Sequence, residues 1–267
     1  MKAACIQMNI RHCKKQINID HALSMAEDAI SEGAKLIVLP EVFSTGFCYD
    51  NIEENAECTP YSTIETLCEF SKKHDCILIG SIIEAVDNIK TTAPHNRSNC
   101  YYNLGFCIES GKLAGTYRKT HPFEQEKSYF CSGDTIMPIR LEKNDLTIGL
   151  EICYELRFPE VARKLALDGA DILVTIAEFP NPREYHWKTL AIARAIENQI
   201  PHITCNRAGE DPYSTFFGGS MMIDAWGEVK AQADYEECII MYDIDMREKD
   251  NIRKAIPIFD DRRPDLY

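Results

Sequence analysis

The sequence predicts an α/β fold built from two related β-α-β halves. Residues 36–39 and 172–176 are apolar runs typical of strands that are buried on both faces of a parallel sheet. Each run lies near a segment whose apolar residues recur at the spacing of an amphipathic helix. The segments 32–43 (EGAKLIVLPEVF) and 168–179 (DGADILVTIAEF) align without a gap. This internal repeat indicates two similarly built halves around a pseudo-twofold axis.

The remaining elements follow from apolar periodicity and from turn residues. Continuous or alternating apolar runs predict strands, and apolar spacing of three to four residues predicts helices that stop at Gly33 and Gly169. Ser110-Gly111 and residues 143–145 predict the turns of two β-hairpins. The predicted helices are 17–32, 63–74, 158–168 and 185–198. The predicted strands are 3–8, 36–39, 77–84, 99–108, 113–117, 136–141, 148–152, 172–176, 202–206, 220–223 and 238–243.

We expect one domain, residues 1–267, in which residues 246–267 form a C-terminal arm. The arm carries mixed charge together with Pro257 and Pro264, so it is too polar to build a core of its own. Its isoleucines and Phe259 nevertheless favour burial. The arm is therefore predicted to pack on the body of the protein or on a second subunit.

Composition places the chain among ordinary globular proteins, with 45% hydrophobic and 27% charged residues. The net charge of −13 argues against nucleic acid or an anionic membrane as the main partner, because both require a basic face. It leaves an anionic small substrate open, since a few local arginines can oppose the global field.

The cysteines and the N-terminus indicate a location in a reducing cytoplasm. The twelve cysteines are scattered and include no CxxC pair, and the first residues show no signal peptide. No apolar run approaches the ~20 residues of a transmembrane helix. Free thiols are therefore expected rather than a disulfide framework. The seven histidines show no metal-ligand spacing, so zinc is not expected.

Cys153 is the first candidate for chemistry. It lies in the stretch TIGLEICYELRFPE (147–160), between an apolar strand and a helix that begins near Pro159. A thiol at such a turn is held up at the strand end beside free backbone N–H groups, which favours a thiolate and an exposed nucleophile. A buried structural cysteine would have the same local sequence, and this stretch alone leaves both interpretations open.

Two further places follow strands at the same predicted sheet edge. Glu41 comes directly after the strand 36–39, where open α/β sheets bind ligands, although an exposed loop glutamate would look the same. Ala177 stands opposite Glu41 in the aligned repeat, so only one half has the carboxylate. A basic segment, 117–121 (YRKTH), follows the first hairpin. Together the three places supply the base, the cation and the thiol that covalent acyl transfer requires.

Three segments closely resemble, in order, the signature segments of the nitrilase, or carbon–nitrogen hydrolase, superfamily. They are LPEVFSTGF (39–47), YRKTH (117–121) and EICYELRFPE (151–160). The ARAIEN stretch and the tail IFDDRRPDLY are also similar to it, so the resemblance covers essentially the whole chain. It implies a four-layer α-β-β-α sandwich, usually dimerised through helices, and it is nearest to the small-amide, omega-amidase-like branch.

Matched position by position, the resemblance assigns four catalytic residues. Glu41 corresponds to the general base, Lys119 to the catalytic lysine and Cys153 to the nucleophile. A second glutamate follows the lysine in this family. Its position falls at Glu126, with Glu124 as a nearby competitor.

The mechanism implied by the resemblance is covalent. Cys153, activated by Glu41, would attack an amide carbonyl, and Lys119 with the backbone N–H of Tyr154 would meet the oxyanion. Water would then hydrolyse the thioester. No metal or cofactor is implied. The expected partners are a small amide, water and further copies of the chain in a homodimer or higher homo-oligomer.

The same branch implies an omega-amidase that acts on 2-oxo acid amides, which end in a carboxylate. Arginine or lysine would bind that carboxylate, and aromatic side chains would line the pocket. The alternatives are that the basic residues form surface or structural ion pairs and that the aromatic residues belong to the core. The basic candidates are Arg157, Arg183 and Lys188. The aromatic candidates are Phe47, Phe123, Phe179 and Trp187. Phe179 and the His121-Pro122 pair depart from the pattern of the branch beside the expected pocket.

Other functions remain open from sequence. An N-carbamoyl-amine amidohydrolase or a nitrile-hydrolysing enzyme would use the same thiol chemistry. A papain-type hydrolase would use His121 or His186 as its base, but it would leave Glu41 and Lys119 unexplained. A non-catalytic subunit or binding module is the alternative outside catalysis, and three intact motifs argue against it.

Overall fold

The computed structural model describes residues 1–87 and 99–266, and it consists mainly of two six-stranded sheets with helices on their outer faces. The strands are β1 (Lys2–Gln7), β2 (Leu36–Val38), β3 (Ile77–Asp87), β4 (Asn99–Glu109), β5 (Lys112–Arg118), β6 (Ile139–Leu141), β7 (Leu146–Ile152), β8 (Ile172–Ala177), β9 (His202–Asn206), β10 (Ala208–Glu210), β11 (Thr215–Phe217), β12 (Met221–Ile223), β13 (Val229–Gln232) and β14 (Cys238–Asp243). The helices are α1 (Lys15–Ser31), α2 (Ile52–Asn55), α3 (Ser62–His74), α4 (Pro159–Leu167), α5 (Glu184–Asn198) and α6 (Glu248–Ala255), with 3₁₀ helices at Glu124–Ser128 and Cys153–Arg157.

The two large sheets have corresponding strand orders. The first sheet runs β14-β1-β2-β3-β4-β5, and the second runs β13-β12-β9-β8-β7-β6. In the first sheet β2 is parallel to β1 and β3, and in the second β8 is parallel to β7 and β9. The predicted four-layer α-β-β-α sandwich is confirmed.

Burial on both faces explains the continuous apolar strands. In β2, Leu36 and Val38 point into the core between the sheets, whereas Ile37 and the following Leu39 pack against the helices α1 and α3. Successive side chains of a strand point to opposite faces, so a strand covered on both sides requires apolar residues at every position. Helices α4 and α5 cover the second sheet in the same way.

The internal repeat has a structural counterpart at the ends of α1 and α4. Gly33 and Gly169 have φ values of +93° and +96°, a left-handed conformation that glycine adopts without strain. The next residue in each half, Ala34 or Ala170, donates its N–H to a carbonyl five residues earlier, at 3.1 and 3.0 Å. Both helices therefore stop in the same way, and each stop leads directly into the central strand of its sheet.

The structure adds elements that the sequence pattern did not predict. The tail contains α6, whose Ile252 is buried, and Phe259 packs against the core beside α4. Gln199 Nε2 donates to the carbonyl of Ile256 at 2.8 Å, so the arm packs on its own body. The short antiparallel pair β10–β11 was also not predicted, because its three-residue strands, Ala-Gly-Glu and Thr-Phe-Phe, are too short to show an alternating pattern. Within residues 1–87 and 99–266, no helix has the length and apolar character needed to cross a bilayer.

The expectation of free thiols rather than disulfides holds for eight cysteines and is wrong for four. Disulfides join Cys13 to Cys48 and Cys100 to Cys131, whose Cα atoms lie 5.3 and 6.0 Å apart. The fold brings these distant positions within bonding range, which sequence spacing does not reveal. The other eight cysteines of the described chain are free. The cytoplasmic location stays a prediction.

Candidate active site

Three strand ends bring the predicted base, lysine and thiol to one place. Glu41 follows β2, Lys119 follows β5 and Cys153 follows β7. Lys119 Nζ lies 2.7 Å from Glu41 Oε1 and 2.7 Å from Glu126 Oε1. The side chains of Lys119 and Glu41 are 2% and 0% exposed, so the ion pair lies below the surface. A buried charge of this kind is stable only when it is paired and hydrogen-bonded.

Glu41 is held by donors from three directions. Asn103 Nδ2 donates to Oε1 at 2.7 Å beside Lys119, and the backbone N–H of Glu178 donates to Oε2 at 2.9 Å. The next residue, Val42, has φ of +38°, a conformation that a β-branched residue rarely adopts. Its N–H is bound by Ser81 Oγ at 2.8 Å. The backbone is therefore held in a strained turn that fixes the direction of the carboxylate.

Of the two candidate glutamates after the lysine, the structure places Glu126 beside it. Glu126 Oε1 contacts Lys119, and Oε2 accepts the N–H of Phe123 at 2.6 Å. Burial raises the pKa of Glu126 to about 7, against the opposing effect of Lys119. Glu124 has a largely exposed side chain and lies 3.6 Å from Arg183.

Cys153 is a buried thiol at the first position of a 3₁₀ helix, with φ of +52°. Burial raises the pKa of this thiol well above its ordinary range, and the charge of Glu41 adds to the increase, whereas Lys119 opposes it. The expectation of an exposed thiolate is therefore wrong, because burial and two nearby carboxylates outweigh the N–H groups of a short turn. These surroundings favour the protonated thiol over the thiolate.

Lys119 remains an ammonium group. Burial alone would lower its pKa, but the charges of Glu126 and Glu41 raise it well above the ordinary value. Lys119 therefore supplies a fixed positive charge next to the thiol. In a buried site, such a charge stabilises a developing oxyanion more strongly than it would in water.

Glu155 connects the basic segment to the turn that carries Cys153. Its Oε1 accepts the hydroxyl of Tyr117 at 2.6 Å and the N–H of Thr120 at 2.7 Å, and its Oε2 accepts the N–H of Ile152 at 2.8 Å. Burial alone would raise the pKa of Glu155, but these donors, together with His121, keep it below the ordinary value. The carboxylate thereby fixes the two catalytic segments relative to each other.

A cavity of about 310 Å³ opens above Cys153. Most of the residues predicted to contact substrate line it together with Tyr154 and Glu126. These are Phe47, Phe123, Arg157, Phe179 and Arg183. Trp187 does not line the cavity. Its indole is buried behind Phe179, with ring centroids 5.2 Å apart, and Nε1 donates to the carbonyl of Gly219 at 2.8 Å, so Trp187 belongs to the core.

The three basic candidates differ in their surroundings. Arg183 lies over the ring of Phe123 and pairs with Glu124. Arg157 lies over the ring of Phe179, 5.3 Å from its centroid, and its two terminal nitrogens lie 3.4 and 3.5 Å from His186 Nδ1. It forms no ion pair with a carboxylate of the described residues. Lys188 is outside the cavity and donates to Gln232 Oε1 at 3.0 Å.

Sequence reasoning missed three polar residues of the site. Asn103 and Glu178 contact Glu41, and Glu155 joins the catalytic segments. A polar residue inside the apolar strand 99–108 was a signal for Asn103. Glu178 lies one position past Ala177 in the repeat, so it does not align with Glu41.

The described residues offer neither a histidine base nor an available metal site at the thiol. No histidine of the described chain lines the cavity. His121 contacts Thr120 and Glu155, and His186 lies beside Arg157. His12 is close to Cys13 and Cys48, but those two sulfurs are bonded to each other and cannot act as thiolate ligands.

Comparison with known proteins agrees with this geometry. Residues 2–254 match the carbon–nitrogen hydrolase family. The 2-oxoglutaramate amidase of Bacillus subtilis (strain 168) is 38% identical over 99% of this chain and 98% of that protein. The human omega-amidase NIT2 is 32% identical over 100% of this chain and 96% of that protein. The crystal structure of a carbon–nitrogen hydrolase from Helicobacter pylori G27 superposes with a TM-score of 0.88, at 28% identity, over 100% of this chain and 97% of that one. The protein therefore belongs to the carbon–nitrogen hydrolase family.

Proposed function

We propose that the protein hydrolyses the terminal amide of a small 2-oxo acid amide through a thioester on Cys153. The observation that carries this proposal is the buried ion pair of Lys119 with Glu41 and Glu126, placed beside a thiol at the floor of a cavity. The similarity to a 2-oxoglutaramate amidase from Bacillus subtilis and to a human omega-amidase supports this class of substrate.

In the first half of the reaction, Glu41 removes the proton of Cys153 while Sγ attacks the amide carbon. The carbonyl oxygen becomes an oxyanion, which accepts hydrogen bonds from Lys119 Nζ and the backbone N–H of Tyr154. Glu41 then gives the proton to the amide nitrogen, the C–N bond breaks and ammonia leaves. The acyl group remains on Cys153 as a thioester.

In the second half, water replaces ammonia. Glu41 removes a proton from the water molecule, which attacks the thioester carbon, and Lys119 again faces the oxyanion. Collapse of the intermediate breaks the C–S bond, and Glu41 returns a proton to Sγ of Cys153. The products are a dicarboxylic 2-oxo acid and the free enzyme. Glu126 holds Lys119 in place during both halves.

Arg157 is our candidate for binding the substrate carboxylate. It lines the cavity, its guanidinium lies over the ring of Phe179, and its only polar neighbour among the described residues is His186 Nδ1, at 3.4 and 3.5 Å from Nη2 and Nη1. A planar guanidinium binds a carboxylate through two parallel hydrogen bonds. Arg183 shares its charge with Glu124 and is the weaker candidate.

We also propose a homodimer formed through the layer of α4, α5 and the arm. Ile196 and Ile256 line the same surface groove on this layer and are 52% and 48% exposed. A second copy of the chain would cover these apolar side chains.

The decisive experiment is an ammonia-release screen over 2-oxo acid amides, other primary amides, carbamoyl-amines and nitriles. We expect release from the 2-oxo acid amides and none with Cys153→Ala or Glu41→Gln, which remain folded by circular dichroism. An acyl adduct on Cys153, observed by intact-protein mass spectrometry, would identify the thioester. Ammonia release by Cys153→Ala at the wild-type rate would refute the proposed nucleophile.

A further inference from the structure

Two cysteines and a histidine lie together beside the loop that follows Glu41. The nitrogen and sulfur atoms that His12, Cys13 and Cys48 could offer to a metal all lie within 4.8 Å of one another. Two thiolates and one imidazole are the donor types that zinc and related thiophilic metals prefer. In the disulfide form the two sulfurs cannot ligate a metal, so any metal binding here requires their reduction.

Hydrogen bonds hold the two cysteine segments together in addition to the disulfide. The N–H of Cys13 donates to the carbonyl of Thr45 at 2.8 Å, three residues before Cys48. Asn18 of α1 is buried, and its Nδ2 donates to the carbonyl of Ser44 at 2.9 Å. These bonds do not involve sulfur. The two cysteines, whose Cα atoms lie 5.3 Å apart, should therefore remain neighbours after the disulfide is reduced.

Two further observations concern the surroundings of these sulfurs. Nδ1 of His12 is buried and has no hydrogen-bond partner within residues 1–87 and 99–266. Buried polar atoms normally have a partner, and a metal bound by this nitrogen would supply one. Asn55 Nδ2 donates to Sγ of Cys48 at 3.4 Å. Hydrogen bonds of this kind orient a metal ligand, and their removal typically lowers metal affinity roughly 10- to 100-fold.

The second disulfide has no comparable surroundings. Within the described ranges, Cys100 and Cys131 do not belong to any group of three possible ligands from histidine, cysteine, aspartate or glutamate. The pair therefore offers two sulfurs without the third ligand that a zinc site requires. It provides a natural comparison within the same chain.

We propose that His12, Cys13 and Cys48 form a binding site for Zn²⁺ or a similar thiophilic cation when their disulfide is reduced. A dithiol reductant supplies two electrons and two protons, becomes a disulfide itself and leaves Cys13 and Cys48 as thiols. On binding the cation both thiols lose their protons, and the two thiolates and the neutral imidazole become ligands. A fourth position is left for water. Disulfide formation and metal binding exclude each other at this site.

The proposed metal site borders the substrate cavity but is separate from it. Phe47 and Tyr49, on either side of Cys48, line the cavity, whereas none of the three proposed ligands does. The ring of His12 lies edge-on to that of Tyr213, another lining residue, with centroids 5.8 Å apart. Metal binding at this site therefore does not depend on the reaction proposed for Cys153.

The test is a titration with Co²⁺, a coloured substitute for Zn²⁺, on the full-length protein with Cys153→Ala, so that the catalytic thiol cannot ligate the metal. One sample is reduced with dithiothreitol, which is then removed without air, and the other keeps its disulfides. We expect the reduced sample to bind one Co²⁺ per chain, with a thiolate-to-cobalt absorption band and the release of two protons. Zn²⁺ should displace the Co²⁺. The disulfide sample should show no such band.

Variants locate the site. Cys48→Ser and His12→Ala should each weaken Co²⁺ binding by at least about 100-fold and Asn55→Ala by roughly 10-fold, because a direct ligand contributes more than an outer contact. Cys131→Ser, in the second pair, and Cys58→Ser, at an exposed free cysteine, are the controls and should bind as before. If Cys48→Ser does not fold, His12→Ala decides. Absence of the band from the reduced protein, or unchanged binding in His12→Ala, would overturn the inference.

Discussion

Neighbouring glutamates in this site have different protonation behaviour because their hydrogen-bond donors differ. Four donors to Glu155 overcome its burial and lower its pKa. Glu126 and Glu178 each have a single cationic partner, and burial raises their pKa values to about 7 and about 8. Hydrogen-bond donors therefore oppose the effect of burial on the pKa of each carboxyl group, and they outweigh it at Glu155.

At the residue scale, Arg157 provides a test of substrate recognition. Arg157→Ala should lower kcat/KM roughly 10- to 100-fold for a 2-oxo acid amide, because a charge-assisted contact to the carboxylate is lost. A neutral primary amide should lose much less. Steady-state kinetics on both substrates check this, with Lys188→Ala as the control outside the cavity. Equal losses on both substrates would exclude Arg157 as the carboxylate ligand.

Glu151 provides a test of stability against pH. Burial raises its pKa to about 7, although Thr175 donates to it at 2.6 Å. Between the unfolded pKa and pH 7 the folded protein keeps a proton that the unfolded chain has lost, so this group's stabilising contribution disappears as pH rises through 7. The unfolding free energy of the wild type should fall as the pH rises from 5 to 8. In Glu151→Gln this fall should be smaller by on the order of 3 kcal/mol.

Urea denaturation at the two pH values measures that difference. Glu142→Gln, at an exposed position, is the control and should keep the wild-type dependence on pH. An unchanged dependence in Glu151→Gln would show that Glu151 ionises in the folded protein as it does in the unfolded chain.

The sequence could indicate Glu41, Lys119 and Cys153, because each follows a strand in a recognisable segment, and the structure brings the three together. It could not indicate the protonation of Cys153, which depends on burial and on charges from distant segments. The sequence could also not indicate that Glu178 belongs to the site, since its contact with Glu41 joins residues 137 positions apart.

At the scale of elements, the turn after β7 depends on a carboxylate that belongs to the turn itself. Glu155→Ala would remove the carboxylate that accepts from the hydroxyl of Tyr117 and from the N–H groups of Thr120 and Ile152. The loss of this acceptor costs about 1–3 kcal/mol for each donor, so the unfolding free energy should fall by at least about 3 kcal/mol. Thermal and urea unfolding measure this loss. Glu160→Ala, at an exposed position of α4, should change stability little, and a similarly small loss in Glu155→Ala would contradict the assigned network.

Elements with a strong apolar pattern could be predicted, and elements without one could not. β2 and β8 are apolar because both of their faces are covered, and that requirement is visible in the sequence. α6 is rich in charge and buries Ile252 through contacts with the body, and the pair β10–β11 buries only part of its short strands. Their structure depends on tertiary contacts that a local pattern does not contain.

At the scale of the whole molecule, the helical layer around α5 should form the interface between two copies. Ile196→Glu would place a charge in that interface, and we expect the molar mass to fall from dimer to monomer in light scattering. Ile17→Glu on α1 is a matched control, because Ile17 is 53% exposed and Ile196 52%. A wild-type mass of one chain, or an equal response of both variants, would exclude this interface.

The repeat has a consequence for how activity arises during folding. Glu41 and Lys119 belong to the first sheet, whereas Cys153 and Glu178 belong to the second, so each half of the repeat contributes only part of the site. A chain in which both halves have formed their strands and helices but have not yet docked has no base beside its thiol. During refolding, the rate at which activity recovers therefore reports the docking of the two sheets. The rate at which the circular dichroism signal recovers reports the formation of strands and helices within each half.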